Sequence, residues 1–297
     1  MKKILILGSS GYVGSYISPK LSKTNLVTGI DKETNVNCKS FYKINLINDF
    51  KKFLKVAKNY EILIILAGIV GDPNCFKYKD EAKKINVDFL KELKKNIHKF
   101  ENLKKIVFTS SCSVYGFGRK EFKEKSKFNP LSYYSKTKIQ GEKILLEIKQ
   151  KISADLYILR LSTLYGYSPS MRFDLVPNLF IKNIKDKKLF TIYGGDQIRP
   201  FISLKFLSNV ILKIISQKNY NSSFIYNLGQ KNQNLSLIKL AKKISKTFKI
   251  KFIINQKQQD KRSYQVDFSK LKKRFKVKKD NLSAELINLY KKIQKIK

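Results

Sequence analysis

The stretch LSYYSKTK, residues 131–138, places two tyrosines and two lysines within eight positions. Residues four apart share one face of a helix, with Cβ atoms about 5–6 Å apart. Tyr134 therefore meets Lys138, whereas Tyr133 meets Thr137. A phenol has a pKa near 10, and an adjacent ammonium lowers that pKa by favouring the phenolate. The pair could move a proton to or from a hydroxyl group; the alternative is a solvated basic helix, since the chain carries 62 lysines and arginines.

A second candidate for chemistry is the glycine loop GSSGYVG, residues 8–14, which follows an apolar run and begins a helical pattern. Glycines let a pyrophosphate approach the backbone, and a helix N-terminus offers amide hydrogens to it. Asp31 ends the next apolar run, 17 residues after Gly14. Its carboxylate would accept ribose hydroxyls and repel a 2′-phosphate, so we expect NAD rather than NADP, with Lys32 as the opposing feature. The alternative is an ordinary strand-to-helix turn.

The elements that must hold these residues alternate between apolar runs and helical patterns. Strands that are apolar throughout and separated by helices indicate a parallel sheet covered on both faces. We therefore predict an α/β fold of the Rossmann type, with a doubly wound parallel sheet. The predicted buried strands are Lys3 to Leu7, Leu26 to Ile30, Phe41 to Asn45, Ile62 to Leu66, Lys105 to Thr109 and Asp155 to Leu161.

The domain organisation follows from where this pattern weakens. After Leu161 the alternation loosens, and we expect a smaller C-terminal substrate-binding part over residues 166–297. The NAD-binding Rossmann domain should span residues 1–165, with about 200–230 returning to it. Near the C-terminus we expect an amphipathic helix that covers the core, with its apolar face formed by Leu286, Leu289, Tyr290, Ile293 and Ile296.

The net charge of +40 raises nucleic-acid binding as a hypothesis. Six of the 62 basic residues are arginines, so 56 are lysines, and they are spread along the whole chain. A lysine-rich bias on solvated faces explains this pattern better than a basic patch. We expect no specific nucleic-acid partner.

Three cysteines at wide spacing give no disulfide framework and no metal-ligand motif, so we expect no metal. The apolar run after the first two lysines is shorter than the roughly 7–15 residues of a signal-peptide core. The apolar stretch at 62–71 is about half a membrane span. We therefore expect a cytoplasmic protein without a membrane partner; for its assembly we consider a homodimer.

Taken together, the motifs resemble those of a known group. The glycine spacing, TSSCSVYG at 109–116 and YSKTK at 134–138 are similar to the extended short-chain dehydrogenase/reductase superfamily. More narrowly, they resemble the NAD-dependent epimerase/dehydratase family, which acts on nucleotide sugars. Further segments fall in family order: ILAG at 65–68, INV at 85–87, LRLSTLYG at 159–166, YGGDQIRPFI at 193–202 and DKRSY at 260–264. The motifs of the first half are specific together, and those of the second half are individually weak.

The resemblance implies an enzyme with Tyr134 as catalytic base, Lys138 as its partner and Ser111 as a second hydroxyl on the reacting oxygen. Ser110 and Ser113 are alternatives to Ser111. Lys138 would also bind the nicotinamide ribose. The residues implied to bind NAD are Gly8, Gly11, Tyr12, Val13, Gly14, Asp31, Asn45, Leu46, Ala67 and Lys138, where Asn45 replaces a more usual Asp.

The arginines bear on the substrate. A guanidinium binds phosphate bidentately, so an arginine kept in a lysine-biased chain suggests a geometric need. By resemblance, Arg199 and Arg262 would bind the diphosphate of a sugar nucleotide, with Arg172 and Asn178 nearby. The remaining implied position is Thr163, where many relatives carry a substrate-binding Asn. For Arg160, a buried ion pair is as good an interpretation as a binding role.

The resemblance leaves the reaction open among three hypotheses. Cys112, Ser113 and Val114 follow Ser111 where dehydratases and decarboxylases carry acidic residues. The leading prediction is therefore an epimerase of a nucleotide-diphosphate sugar, at C4, through a transient 4-keto sugar. A 4-reductase or dehydrogenase would use the same residues, and a non-catalytic NAD(H)-binding protein is the third alternative.

Overall fold

The computed structural model describes residues 1–34, 38, 40–218, 220–256 and 263–295. Its strands are β1 (Lys3–Leu7), β2 (Leu26–Asp31), β3 (Ser40–Lys43), β4 (Ile62–Ile65), β5 (Lys105–Ser111), β6 (Glu121–Phe122), β7 (Asp155–Leu161), β8 (Thr163–Tyr165), β9 (Phe190–Tyr193), β10 (Ile198–Ser203), β11 (Ser223–Leu228), β12 (Asn234–Ser236), β13 (Phe252–Asn255) and β14 (Gln265–Val266). Its α-helices are α1 (Gly14–Leu21), α2 (Phe50–Ala57), α3 (Asp72–Lys77), α4 (Lys79–Lys83), α5 (Phe89–Asn96), α6 (Tyr133–Lys149), α7 (Val176–Lys185), α8 (Leu204–Ser216), α9 (Leu237–Phe248), α10 (Ser269–Phe275) and α11 (Leu282–Ile293).

Seven of the described strands form one sheet in the order β11-β7-β5-β4-β1-β2-β3. The pairings β1–β2, β2–β3, β1–β4 and β4–β5 are parallel. The chain moves outward from β1 to β3 and then crosses to β4 on the other side of β1. This reversal leaves a crevice at the carboxyl ends of β1 and β4, where ligands bind in open α/β sheets. The predicted doubly wound α/β fold is confirmed.

The buried strands follow directly from their apolar sequences. In β1 the four residues from Ile4 to Leu7 have no exposed surface, and all of β4 is buried. Each of the six predicted strands is present, and β1 and β7 have the predicted bounds. The strand predicted over Phe41 to Asn45 is instead β3, two residues earlier at its end, and its side chains are largely exposed. It lies at the edge of the sheet, where β2 is its one neighbour among the described strands.

The chain divides into two compact units. The first comprises Met1–Val114, Pro130–Arg160 and Ile211–Tyr226, and so holds most of the seven-stranded sheet. Helices α2 and α5 cover that sheet through Phe53 and Phe89, whose ring centroids lie 5.3 Å apart.

The second unit comprises Tyr115–Asn129, Leu161–Val210 and Asn227–Lys297. Its core includes Phe190, which stacks between Phe180 at 4.5 Å and Phe252 at 5.6 Å between ring centroids. The expected amphipathic helix is α11, which buries its apolar face in this core. Ile296 of that prediction lies outside the described residues.

Helix α6 positions the residues that opened the sequence analysis. Its N-cap is Ser132, whose Oγ accepts a hydrogen bond from Ser135 N, while Ser135 Oγ accepts one from Ser132 N, both at 3.2 Å. This capping box fixes where the helix begins and places Tyr134 in its first turn.

Within the described ranges, no helix combines the length and the apolar character needed to cross a membrane.

Candidate functional site

The glycine loop lies at the crevice between β1 and β4. Gly8 has a φ of +84°, and a Cβ there would lie 2.6 Å from Ala67 N, so the position requires glycine. A Cβ on Gly14 would lie 2.2 Å from Gly8 O. At Gly11, by contrast, the nearest atom to a Cβ would be Gly8 O at 3.5 Å. Close packing thus requires glycine at positions 8 and 14, whereas a Cβ at Gly11 would make only an ordinary van der Waals contact.

The start of α1 and the end of β2 border this loop. Val13 is the N-cap of α1, and its side chain makes no capping hydrogen bond. In the first turn Ser15 N donates to Gly11 O at 2.9 Å and Tyr16 N to Val13 O at 3.2 Å, and the positive end of the helix dipole favours an anion near this loop. Asp31 accepts hydrogen bonds from Ser10 N at 2.9 Å and Glu33 N at 3.2 Å. A carboxylate has about four acceptor sites. Asp31 can therefore hold the loop and still accept ribose hydroxyls, so these residues fit a dinucleotide.

The other residues implied to bind NAD have different surroundings. Ala67 lies beside Gly8, and its N–H donates to Leu7 O at 2.9 Å. After β3, Asn45 Oδ1 accepts a hydrogen bond from Ile47 N at 3.0 Å and stabilises a turn. The side chains of Tyr12 and Leu46 are buried.

Lys138 is buried beside Tyr134, as the four-residue spacing predicts. Its side chain is 3% exposed, and Nζ donates a hydrogen bond to Thr109 O at 2.9 Å. Nζ lies 5.8 Å from the ring centroid of Tyr134 and 4.9 Å from that of Phe108. Burial lowers the pKa of Lys138 to about 8, against the opposing influence of Cys75 and Glu142. The site therefore places a poorly solvated cation next to a phenol.

The neighbouring pair, Tyr133 and Lys136, differs from Tyr134 and Lys138 in its exposure and in its charged neighbours. Lys136 is exposed, and the ring of Tyr133 lies under Lys79, with Nζ 5.4 Å from its centroid. Burial, together with the charges of Asp80 and Asp88, raises the pKa of Tyr133. That direction disfavours a base, so the structure distinguishes Tyr134 from Tyr133.

Three serines at the end of β5 were candidates for the second hydroxyl. Ser110 is buried, and its Oγ donates to Glu142 Oε1. Ser113 Oγ is shielded from solvent. Ser111 is the last residue of β5 and partly exposed, and its Oγ accepts from Ser113 N at 3.2 Å. Because that bond uses an acceptor site, the Ser111 O–H can donate to a ligand, which favours Ser111 among the three.

Asn86 links the crevice to helix α6. Its Oδ1 accepts from Ile69 N at 3.1 Å, and its Nδ2 donates to Ile69 O at 2.9 Å and to Thr137 Oγ1 at 3.1 Å. Thr137 Oγ1 in turn donates to Tyr134 O at 2.8 Å. The loop after β4 is thereby connected to the first turn of α6.

A buried ion pair lies beneath the site, and its carboxylate, Glu142, was missed by the sequence analysis. Arg160 donates from Nη2 to Glu142 Oε2 at 2.7 Å and from Nε to Oε1 at 3.0 Å, and both side chains are 2% exposed. For Arg160, the ion-pair interpretation is the one observed. Glu142 follows Lys138 at helical spacing, and this signal could have found it. Cys112 is fully buried, with Sγ directed at Arg160 O.

Four of the residues implied to bind substrate, Thr163, Arg172, Asn178 and Arg199, lie in the second unit. Arg199 of β10 donates from Nη1 to Ile198 O at 3.0 Å, and its guanidinium lies 5.4 Å from the ring centroid of Tyr264. Thr163 of β8 pairs with Phe201 of the same β10. Arg262 lies outside the described residues.

Arg172 and Asn178 are brought together. Arg172 pairs with Asp174, with Nε 3.1 Å from Oδ1. Asn178 is buried, accepts from Gly166 N at 3.0 Å and donates to Arg172 O at 3.0 Å. Both the oxygen and the nitrogen of the Asn178 carboxamide therefore make hydrogen bonds within the protein.

Comparison with known families gives a match over residues 4–229 to the model of the NAD dependent epimerase/dehydratase family. A Bacillus subtilis (strain 168) protein named Uncharacterized UDP-glucose epimerase YtcB is 30% identical over 217 residues, covering 67% of this chain and 68% of that protein. The UDP-glucose 4-epimerase of Lactobacillus helveticus is 26% identical over 277 residues, 82% of each chain.

Solved structures show the same fold. The UDP-N-acetylglucosamine 4-epimerase from Methanobrevibacter ruminantium M1, in complex with UDP-N-acetylmuramic acid, superposes with a TM-score of 0.82 at 25% identity over 98% of this chain and 97% of that one. The UDP-glucuronic acid 4-epimerase from Bacillus cereus, in complex with UDP-glucuronic acid and NAD, gives a TM-score of 0.86 at 24% identity over 99% and 100%.

Proposed function

Since the chain belongs to the NAD dependent epimerase/dehydratase family, we propose that it is a nucleotide-sugar epimerase that inverts C4 through a transient 4-keto sugar. The observation that carries the proposal is the buried Lys138 ammonium beside Tyr134 at the end of β5. Bound NAD would supply the hydride chemistry of the reaction, as acceptor and then as donor at the sugar carbon. The glycine loop, residues 8–14, and Asp31 would hold NAD.

The chain's own residues supply the proton transfer. Tyr134, as the phenolate, accepts the proton of the sugar hydroxyl and later returns it. Lys138 stabilises the phenolate by its charge, because a nearby cation favours the ionised form. One of its three N–H donors is used by Thr109 O, which leaves two for the phenolate and the cofactor ribose. Ser111 would donate to the same sugar oxygen.

For the substrate we propose a UDP-sugar, because several similar proteins are named as 4-epimerases of UDP-sugars. Arg199 is assigned to the diphosphate, with Thr163, Asn178 and Arg262 as further contacts. If Arg172 also binds the diphosphate, the phosphate must replace Asp174 on its guanidinium.

Epimerisation is favoured over dehydration by the residue after Ser111. Cys112 has no exposed surface and its Sγ is directed at Arg160 O. A thiol in that position cannot serve as the acid that eliminates water from the sugar.

We assign the enzyme to the cytoplasm, in keeping with three buried, unbridged thiols.

The proposal is tested by incubating the purified protein with UDP-, dTDP-, GDP- and CDP-sugars and following products by NMR. A C4 epimer without net NADH absorbance change is expected. Stoichiometric NADH change would instead assign a 4-reductase or dehydrogenase, and NAD binding without turnover of any sugar would assign a binding protein. Tyr134→Phe should be inactive, whereas the neighbouring control Tyr133→Phe should retain activity.

A further inference from the structure

The Arg160–Glu142 ion pair has no role in the proton transfer described above, yet it is fully buried one helical turn beyond Lys138. Both Glu142 oxygens accept from the guanidinium fork, and Oε1 also accepts from Ser110 Oγ. We call these three residues, Ser110, Glu142 and Arg160, the anchor cluster.

The anchor cluster adds a second hydrogen bond between α6 and β5, next to the one that Lys138 makes. Tyr134, Lys138 and Glu142 follow each other at four-residue spacing along one face of α6. Lys138 is bonded to Thr109 O, and Glu142 to the side chain of Ser110, the next residue of β5. Ser111 comes directly after. The bonds that fix Lys138 and Glu142 therefore also fix where the Ser111 hydroxyl lies relative to the Tyr134 phenol.

We propose that the anchor cluster is the positioning element of the active site: it holds α6 in register with β5, and its internal charge balance sets the protonation of the Tyr134–Lys138 pair. This inference rests on the proposed function for its catalytic consequence. The three residues of the cluster act through Tyr134 and Lys138 and do not touch the substrate.

The direction of each effect follows from the charges around Lys138. Among the described residues, the charged groups that act on the pKa of Lys138 are Cys75 from α3 and Glu142 from α6, and both oppose the effect of burial. The Tyr134 ring lies 5.8 Å from Lys138 Nζ, and Arg160 of β7 faces Glu142. With Glu142 neutralised, the Arg160 cation remains unbalanced and favours the phenolate. With Arg160 removed, the Glu142 carboxylate remains unbalanced and favours the neutral phenol.

The test compares Glu142→Gln, Arg160→Met and the double variant. The readout is the pH midpoint of the Tyr134 Cζ signal in ¹³C-tyrosine NMR of the unliganded protein, assigned by its loss in Tyr134→Phe. Glu142→Gln should lower the midpoint by about one unit. Arg160→Met should raise it by less, since a lone buried carboxylate tends to take up a proton. The double variant should return close to the wild-type midpoint.

A purely structural role predicts lower thermal stability with an unmoved midpoint in all three variants, and that result would overturn the proposal. The matched control is Asp155→Asn, which disrupts another buried ion pair on the same sheet, Lys105–Asp155. It should lower stability without moving the Tyr134 midpoint. Because the NMR readout requires no turnover, a shifted midpoint without epimerase activity would reject the proposed function while supporting this inference.

If the single variants fail to fold, Ser110→Ala keeps both charges and removes only the hydroxyl that joins β5 to Glu142. The expected result is a roughly tenfold lower kcat with unchanged KM, because small misplacements of reacting groups cost rate. An unchanged kcat in folded Ser110→Ala would contradict a positioning role.

Discussion

Strand β5 has a buried lysine ammonium at each of its ends, and the two are held differently. At the amino end Lys105 is 1% exposed, with Nζ 3.5 Å from Asp155 Oδ2. It also donates to Gln217 O at 2.9 Å and to Lys218 O at 3.3 Å. The ammonium therefore has one carboxylate and two carbonyls around it.

At the carboxyl end, the Lys138 ammonium donates to the Thr109 carbonyl and faces the rings of Phe108 and Tyr134. Burial lowers the pKa of both lysines, and Asp155 partly offsets that effect for Lys105. The comparison shows how one sheet uses the same side chain in two ways. The Lys105 ammonium, which is paired with a carboxylate, connects β5 to Asp155 and to the backbone of Gln217 and Lys218. The Lys138 ammonium has little compensation for its burial, and such a charge indicates a chemical use.

The largest effect should come from removing the phenol hydroxyl at the carboxyl end. Tyr134→Phe should lower kcat by about 10³-fold, because it removes the group that accepts the proton. Tyr133→Phe is the matched control and should stay within about threefold of wild type. Steady-state rates on the sugar nucleotide identified by NMR would check this, and similar rates for both variants would remove Tyr134 from its role.

Lys138→Met separates activity from stability. We expect kcat to fall by about 10²-fold or more. At pH 7 the folded protein should become more stable by about 1 kcal/mol, because a cation penalised by burial is removed and only one hydrogen bond is lost. Chemical denaturation measures the second effect, with the exposed Lys136→Met as control.

The same variant has a pH signature. The folded pKa of Lys138, about 8, lies below its unfolded value of 10.5, so between these values the unfolded wild type binds more protons and folding stability rises with pH. Lys138→Met should lack that contribution. An unaltered pH dependence of unfolding would show that Lys138 is not desolvated.

Lys105→Met should have the opposite effects to Lys138→Met: the protein loses stability and keeps its kcat. It leaves the Asp155 carboxylate buried without its cation, which should cost about 3 kcal/mol of unfolding free energy. Its kcat should match that of wild type, since Lys105 lies at the opposite end of β5. A fall in kcat with retained stability would invalidate the contrast between the two ends.

The pH dependence of kcat/KM tests whether the Lys138 charge is needed in the unliganded enzyme. Its pKa of about 8 predicts that kcat/KM falls above about pH 8, as Lys138 loses its proton and no longer stabilises the phenolate. Lys105→Met should show the same basic limb as wild type. A profile that stays flat to pH 10 would contradict the assignment.

The smallest effect concerns cofactor choice at the end of β2. Asp31→Asn keeps the size of the side chain but removes the charge expected to repel a 2′-phosphate. Affinity for NAD should fall by about tenfold and the preference over NADP should narrow, as measured by calorimetry with both nucleotides. Tighter binding of NADP by the wild-type protein would refute the role of Asp31.

The sequence predicted those features that depend on local spacing. Apolar runs located the sheet, and the four-residue interval singled out Tyr134 and Lys138 over Tyr133 and Lys136. The Thr109 contact of Lys138 could not be predicted because a carbonyl has no sequence signature. Likewise Glu142 and Arg160 lie 18 residues apart on a helix and a strand, and only the packing of α6 against the sheet brings them together.

Edge effects account for the one misplaced strand. The apolar content of Phe41 to Asn45 suggested burial, but among the described strands β3 pairs only with β2, and its side chains are largely exposed. In the second unit, the resemblance named Asn178 and Arg172 as substrate contacts. The partners they have in the structure, Gly166 and Asp174, follow from a loop geometry that spacing alone does not encode.

The most direct test of the account uses UDP-sugars that carry deuterium at C4, incubated with wild-type protein and NAD in ordinary water. If Tyr134 moves only the hydroxyl proton and the hydride returns to the same carbon, NMR should show the C4 epimer with its deuterium retained, and Tyr134→Phe should give none. Loss of the deuterium to solvent, or an equally active Tyr134→Phe, would contradict the account.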